Sequence, residues 1–333
     1  MDAKALGQAD VEGDARRPST LEWLNRYGTA LFLVLMCLFF LAQNPHFLSL
    51  RNIANILADV SIYGVIAVGM TFVIITGGVD LAVGATLALA SICAAWAVNL
   101  SGWALGPNWL VALAVSVLVG TFVGLIHGKI TTWLAVPAFI TTLGGMTVWR
   151  GATLLVNDGG PVSDFSEGLR FWGTGSLLGV PVPVLVFAFV ALAGLVVQRY
   201  TRFGRQVYAV GGNPEAARLS GVDVKRVETA VYVIVGSLSG LAGFLLMARL
   251  NSAEAVGGVG YELRVIASVV IGGASLAGGV GGIGGTLMGA LLIGVLSNGL
   301  VMMGVNAYYQ QIVIGVIIVL AVAFDTYAKR RIG

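Results

Sequence analysis

The chain has 333 residues, of which 57% are hydrophobic and only 11% are charged, and its mean hydropathy is +0.91. Soluble domains carry about a quarter charged residues, so this composition excludes a water-soluble globule and indicates an integral membrane protein. The net charge of +3 does not indicate a nucleic-acid-binding protein, because the basic residues lie in loops between apolar segments.

Apolar segments of roughly 20 residues, the length that crosses a bilayer, recur along the chain. They predict an all-α, polytopic membrane protein with about ten transmembrane helices, one or two of them interrupted. The predicted spans lie near residues 28–44, 56–76, 81–100, 109–128, 136–156, 181–198, 227–249, 262–277, 284–303 and 308–325. The domain expectation is a disordered tail at 1–27, a transmembrane domain at 28–327 and a short tail at 328–333.

The positions of Lys and Arg predict the orientation. With the N-terminus inside, most basic residues fall on the inner side, in both tails and in the loop 199–226. Because cytoplasmic loops are enriched in Lys and Arg, the sequence predicts that both termini and this loop are cytoplasmic.

The loop 199–226 contains a short polar helix with its own start and stop signals. Asn213 is a suitable N-cap, Pro214 suits the first helical position, and Glu215 complements the positive helix end. Gly221 can adopt the left-handed conformation that ends a helix. A capped helix in a basic loop is typical of a surface that another protein binds. The alternative is a solvated loop helix without a partner.

Two segments, 75–84 and 270–279, are predicted to interrupt membrane helices. Both contain the pattern Gly-Gly-x-x-Leu-Ala-x-Gly, with Ser275 where the first has Asp80. An acid at membrane depth requires an explanation: Asp80 either caps the next helix or faces a water-filled substrate path, and both can hold. Matching breaks are typical of an internally repeated transporter, although chance similarity between Gly-rich helices is the alternative.

Other motifs indicate helix packing and no enzyme chemistry. Glycines at spacing four, in the series beginning at Gly120 and at Gly281, favour close helix contacts. The GxGxxG match at 279–284 follows no strand, so a dinucleotide site is not indicated. No catalytic residue, metal site or cofactor is predicted, and the phosphate-binding pattern GxxxxGK[ST] does not occur. Any ATP-driven role therefore requires a partner.

Four stretches together are characteristic of one family: 67–81, which contains Gly77-Gly78-Val79-Asp80-Leu81; 139–144; 201–205 with the polar helix; and 260–273. Through them, residues 45–325 resemble the permease subunit of bacterial ABC importers for monosaccharides. The resemblance implies a multi-pass inner-membrane subunit that moves a monosaccharide by alternating access. It also implies a cytoplasmic ABC ATPase, a periplasmic sugar-binding protein and a second permease subunit, expected to form a homodimer within the membrane lipid.

The resemblance also implies which residues act. The expected ATPase-coupling contacts are Gly212, Asn213, Glu215, Ala216, Ala217, Arg218 and Gly221. A neutral sugar needs a polar path without strong charge, and the candidates on apolar spans are Thr76, Asp80, Phe139, Thr141, Asn298 and Gln310. For each of these the alternative role is helix packing. The segments 157–180 and 251–264 are candidates to contact the binding protein.

Two alternatives remain open at this stage. An ion-coupled secondary transporter would use Asp80 or Glu262 to carry a proton, but it would not explain the capped basic helix. An ABC permease for branched-chain amino acids would share the overall design. Genes for an ATPase and a secreted binding protein beside this one would favour the importer over the ion-coupled transporter.

Overall fold

The computed structural model describes residues 20–101, 108–306, 308–313, 315–317, 319–320 and 323. The expected C-terminal tail at 328–333 and residues 1–19 of the expected N-terminal tail lie outside these ranges. The first helix begins at Thr20, so residues 20–27 are helical, although the sequence predicted them to be part of the disordered tail.

The described chain is mainly helical, as predicted. Its helices are α1 (Thr20–Gln43), α2 (Leu50–Ile75), α3 (Val83–Ser101), α4 (Asn108–Trp133), α5 (Ala138–Val156), α6 (Glu167–Thr174), α7 (Val182–Tyr200), α8 (Arg202–Gly212), α9 (Pro214–Leu219), α10 (Val224–Leu250), α11 (Tyr261–Ile271) and α12 (Ile283–Met302). Two short ribbons complete the fold. In one, β1 (Val162–Ser163) pairs antiparallel with β4 (Ser252–Ala253), and in the other β2 (Ser176–Leu177) pairs with β3 (Val180–Pro181).

Among the described residues, 6 helices are long and apolar enough to cross a membrane: α2, α3, α4, α7, α10 and α12. The predicted count of about ten spans is therefore not confirmed. The span predicted at 262–277 is wrong, because α11 has 11 residues. At 1.5 Å per residue it extends roughly 16 Å, about half the hydrocarbon thickness. A hydropathy pattern cannot separate such a half-length helix from the apolar loop that continues it.

Helix α2 lies at the centre of the bundle, and every residue from Val60 to Ile75 is buried. From Val60 onward the helix carries no charged residue, which is the pattern of a helix enclosed by protein. Helices α7, α10, α11 and α12 pack around it. The buried hydroxyl of Tyr63 on α2 donates to the carbonyl oxygen of Ala290 on α12 at 2.9 Å, so a polar contact fixes this central packing.

Small residues bring two helix pairs into backbone contact, as predicted. A Cβ atom at Gly120 or Gly124 of α4 would overlap the carbonyl oxygen of Gly236 or Tyr232 of α10. Between α11 and α12, a Cβ at Gly289 would overlap the carbonyl oxygen of Ser268. These contacts confirm the packing role of Gly120, Gly124 and Gly289, since only glycine allows backbones to approach this closely, whereas Gly281 lies in the segment before α12.

The ribbon β1–β4 joins the two segments that the sequence marked as candidates to contact a binding protein. Val162 pairs with Ala253, and Ser163 pairs with Ser252. The side chain of Asn251 accepts a hydrogen bond from the backbone N–H of Phe165 at 3.1 Å. The segments 157–180 and 251–264 therefore form one connected surface at the C-terminal end of α10, opposite the end that carries α8 and α9.

Candidate functional site

The polar helix predicted in the loop 199–226 is present as α9. The side chain of Asn213 accepts a hydrogen bond from the backbone N–H of Ala216 at 3.0 Å and caps the helix, and Pro214 is its first residue. At the other end Gly221 has φ of +83°, and the N–H of Val222 donates to the carbonyl of Ala217 at 3.0 Å. This left-handed cap gives the helix a sharp end.

Most of the predicted coupling residues are exposed on α9 and its caps. Glu215 and Arg218 form an ion pair of 2.9 Å, with side chains that are 75% and 68% exposed. The other exposed members of the predicted set are Gly212, Asn213, Ala216 and Gly221. Ala217 is a correction: its side chain is only 5% exposed, because it packs inward and anchors the helix instead of facing a partner.

Leu219, the last residue of α9, was missed by the sequence interpretation. It is 84% exposed beside the exposed ion pair. The sequence could have indicated this residue, because Leu219 is the one large aliphatic residue between Pro214 and Gly221. Single exposed apolar residues are common on protein surfaces, so it is the position of Leu219 on α9, beside the exposed ion pair, that makes it a candidate contact.

A second helix, α8, precedes α9 and was not predicted. Its N-cap is Thr201, whose hydroxyl oxygen accepts from the N–H of Gly204 at 3.1 Å. Its inner face buries Val207 and Val210, with Phe203 packed against the core. Phe203, Val207 and Val210 are separated by four and then three positions, and this spacing could have predicted the helix. Helix α8 joins α9 through Asn213, which ends the first helix and caps the second.

The first predicted break separates α2 from α3. Gly77 has φ of +83°, and the N–H of Gly78 donates to the carbonyl of Val73 at 2.9 Å, which is the glycine-based helix ending. Asp80 follows and is only 2% exposed. Its Oδ1 accepts from the N–H of Ala82 at 2.8 Å, so the carboxylate satisfies a backbone donor at the start of α3.

The other carboxylate oxygen of Asp80 begins a buried polar chain. Oδ2 of Asp80 lies 3.3 Å from Nδ1 of His127, and the indole N–H of Trp149 donates to Nε2 of the same ring at 2.8 Å. The chain joins the break to α4 and α5. His127 and Trp149 were not predicted as site residues, because Asp80 and His127 are 47 positions apart and no local pattern indicates that they meet.

The second predicted break, between α11 and α12, is built in a similar way. Gly273 has φ of +92°, and the N–H of Ala274 donates to the carbonyl of Val269 at 3.1 Å. The hydroxyl oxygen of Ser275 accepts from the N–H of Ala277 at 3.2 Å, as Asp80 accepts from Ala82. The two motifs are offset by one residue, because the left-handed glycine is the first of the pair in one break and the second in the other.

The two breaks are in direct contact. The backbone N–H of Gly279, in the second break, donates to the carbonyl oxygen of Ile75, the last residue of α2, at 2.9 Å. This bond satisfies a carbonyl that has no partner within its own helix. We refer to this contact between 75–78 and 272–281 as the break junction.

The predicted pathway residues do not converge on one place. Thr76 turns back and donates to the carbonyl of Val73 at 2.8 Å, and Phe139 is 57% exposed on α5. Thr141 is buried on α5, and its hydroxyl has no hydrogen-bond partner among the described residues. Of these candidates, Asp80 is the one that belongs to the buried polar chain.

The remaining pathway candidates lie toward the far ends of α2 and α12. The side-chain amide of Asn298 forms a reciprocal pair with that of Asn52, with hydrogen bonds of 2.8 Å and 3.0 Å. The side chain of Gln310 is buried, accepts from Ser297 at 3.4 Å and donates to the carbonyl of Val305 at 3.0 Å. Both amides are therefore hydrogen-bonded within the protein, as expected if these residues serve helix packing and not the sugar path.

A bundle of membrane-length helices with broken segments and a capped surface helix defines a polytopic membrane protein. Comparison with protein families gives the same class, because residues 52–322 match the family described as "Branched-chain amino acid transport system / permease component". The chain belongs to this family, as a multi-pass permease subunit of ATP-binding-cassette importers.

Similar proteins cover nearly the whole chain. The ribose import permease protein RbsC of Escherichia coli (strain K12) is 43% identical, over 93% of this chain and 96% of its own. The D-allose transport system permease protein AlsC of the same strain is 39% identical, over 90% and 91%. The xylose transport system permease protein XylH is 34% identical, over 91% of each. No solved structure matches the chain.

Proposed function

We propose that this permease subunit moves a monosaccharide inward across the bacterial inner membrane. The proposal is supported by the relatives, whose names specify ribose, allose and xylose. These sugars are neutral, and Asp80, the buried acid at the first break, is engaged by a backbone N–H and by His127. Neither the ion-coupled transporter nor the amino acid permease is favoured by these relatives, although the family description names branched-chain amino acids.

We propose further that α9 is the contact through which a cytoplasmic ABC ATPase drives transport. The observation that carries this proposal is the exposed, doubly capped helix with its ion pair and its apolar tip at Leu219. A short rigid helix transmits a displacement without bending. On this proposal the loop 199–226 and both termini are cytoplasmic, as the distribution of basic residues favours.

The complete importer contains two copies of this subunit and a periplasmic sugar-binding protein. The binding protein contacts the surface made of 157–180 and 251–264, which lies at the end of the bundle opposite α9. ATP binding closes the ATPase and displaces α9, the attached spans tilt, and a central path opens to the other side of the membrane. The driving force is the difference in the affinity of the ATPase for the two states.

The test is to replace both members of the ion pair, as Glu215→Gln with Arg218→Gln, in the assembled importer. We expect ATP-dependent sugar uptake and stimulated ATP hydrolysis to fall, while the amount of permease in the membrane is unchanged. The matched control is Asp223→Asn with Arg226→Gln, which replaces another exposed i,i+3 pair in the same loop and keeps an acceptor at the cap of α10. Unchanged uptake and hydrolysis in the first double variant would reject α9 as the coupling contact.

The sugar is identified by the companion binding protein. We expect that protein, titrated with a panel of aldoses and with branched-chain amino acids, to bind a monosaccharide, and we expect vesicles that contain the importer to accumulate the same sugar. Binding of an amino acid without any sugar would contradict the proposed substrate class. Uptake that persists without ATP and stops on adding an uncoupler would contradict the importer itself.

A further inference from the structure

We propose that α8 transmits the movement of α9 directly to the break junction, through a backbone contact that requires glycine at position 211. The inference rests on the proposed function of α9 and assigns the route by which its displacement reaches the transmembrane helices. Gly211 belongs to α8 and lies two positions before Asn213, which caps α9.

The backbone of Gly211 lies against the two groups whose hydrogen bond joins the breaks. A Cβ atom built at Gly211 would overlap the carbonyl oxygen of Ile75 and would lie 2.7 Å from the backbone nitrogen of Gly279. These are the acceptor and the donor of the 2.9 Å bond that joins the breaks. The contact is reciprocal, since a Cβ at Gly278 would lie 2.8 Å from the carbonyl oxygen of Gly211. Backbone therefore meets backbone, with no flexible side chain between them to absorb a displacement.

A second contact holds α8 to the far side of the same junction. The hydroxyl of Tyr208 donates to the carbonyl oxygen of Gly281 at 2.6 Å and accepts from the side-chain amide of Gln198 at 2.9 Å. The amide oxygen of Gln198 in turn accepts from the N–H of Ile283, the first residue of α12, at 3.2 Å. Burial raises the pKa of the Tyr208 phenol, so the hydroxyl keeps its proton and remains a donor at neutral pH.

The two contacts bind α8 to both interrupted helices at once. Gly211 contacts the end of α2, and Tyr208 contacts Gly281 just before α12 and is linked to Ile283 of α12 through Gln198 of α7. Because Asn213 is shared by α8 and α9, there is no loop between the two helices to absorb motion. A displacement of α9 therefore moves the end of α2 and the start of α12 together. The first break continues to Asp80, whose carboxylate connects it to α4 and α5.

The test is Gly211→Ala in the full importer reconstituted with its ATPase and binding protein. The added methyl group separates α8 from the junction. We expect the variant to assemble with the ATPase and to hydrolyse ATP, but to transport at least ~10-fold less sugar per ATP hydrolysed, which is the size of a typical coupling between sites. The matched control is Gly284→Ala on α12, where an added Cβ meets no atom of the described residues within 4 Å. We expect it to transport like the wild type.

A second variant keeps the proposal testable if Gly211→Ala does not accumulate in the membrane. Tyr208→Phe removes one oxygen atom and so breaks the bond to Gly281, and we expect a lower ratio of sugar transported to ATP hydrolysed in an assembled complex. A wild-type ratio in Gly211→Ala, or in Tyr208→Phe where Gly211→Ala cannot be assembled, overturns the proposal. Failure of the proposed function of α9 would look different, because Glu215→Gln with Arg218→Gln would then keep wild-type uptake and ATP hydrolysis.

Discussion

The indole N–H of Trp149 donates to Nε2 of His127 at 2.8 Å, and this contact determines the tautomer of a buried ring. Since Nε2 accepts, the proton of the neutral imidazole resides on Nδ1, which faces Oδ2 of Asp80 at 3.3 Å. Trp149 therefore orients His127 as a donor to Asp80. The result is a fixed chain of three side chains from α5 through α4 to the first break.

Removing the indole donor should destabilise the protein. In Trp149→Phe, Nε2 of His127 loses its partner in a site where the imidazole is only 1% exposed. An unsatisfied buried polar group costs about 1–3 kcal/mol, so we expect a lower midpoint of thermal unfolding in detergent. Trp96→Phe is the control, because that indole is 48% exposed. Equal shifts of the midpoint in the two variants would contradict the role of the hydrogen bond.

Asp80→Asn should also destabilise, although it keeps the size of the side chain. Both carboxylate oxygens accept hydrogen bonds, one from the N–H of Ala82 and one from His127. A carboxamide presents one acceptor and one donor, so in either orientation its NH₂ group faces another donor. We expect a loss of about 1–3 kcal/mol, measured by thermal unfolding in detergent.

A double-mutant cycle distinguishes a direct interaction between Asp80 and His127 from a general packing effect. If Asp80 and His127 interact as described, the effects of Asp80→Asn and His127→Ala are not additive, and their coupling falls in the range of about 0.5–3 kcal/mol for contacting residues. Additive effects would mean that Asp80 is stabilised by its bond to Ala82 alone.

Local features of the site could be predicted from the sequence, and contacts between distant helices could not. The caps of α9 are set by Asn213 and Gly221, and each contact spans only a few residues. The ends of α2 and α11 are likewise set by Gly77 and Gly273. In contrast, the bond between His127 and Trp149 depends on how α4 packs against α5, and no periodicity in either helix specifies it.

The errors have equally physical causes. Ala217 was grouped with the coupling contacts because the motif contains it, but one face of a short helix must pack inward. The span at 262–277 was predicted from continuous hydropathy, which does not show that the helical hydrogen bonds end after Ile271. For Asn298 the sequence left a path contact and helix packing open, and its partner Asn52, 246 positions away, could not be identified from a local pattern.

The close packing of α4 against α10 gives a prediction with an internal control. Gly120→Ala places a methyl group against the carbonyl oxygen of Gly236, and overpacking of this kind costs about 1–3 kcal/mol. Gly151→Ala on α5 meets no atom of the described residues within 4 Å and should stabilise its helix by roughly 0.5–1 kcal/mol. Opposite shifts of the thermal midpoint in detergent are expected. An unchanged thermal midpoint in Gly120→Ala would mean that α4 and α10 separate easily.

Leu219 should contribute to the affinity for the ATPase without contributing to the stability of the permease. Its side chain is 84% exposed, so Leu219→Ser removes few contacts within the chain and should leave the thermal midpoint of the isolated subunit unchanged. If a partner covers this side chain, burial of a leucine contributes about 1.5–3 kcal/mol, which corresponds to a loss of affinity of roughly 10- to 150-fold.

The measurement is the retention of the ATPase on immobilised permease over a range of ATPase concentrations. Leu155→Ser at the end of α5 is the control, because that leucine is 83% exposed and lies outside the loop that carries α9. We expect the ATPase to dissociate from the Leu219 variant at concentrations where it stays bound to the wild type and to the control. Equal retention by all three would show that the apolar tip of α9 remains in solvent, and the interface would then have to depend on the ion pair of Glu215 and Arg218.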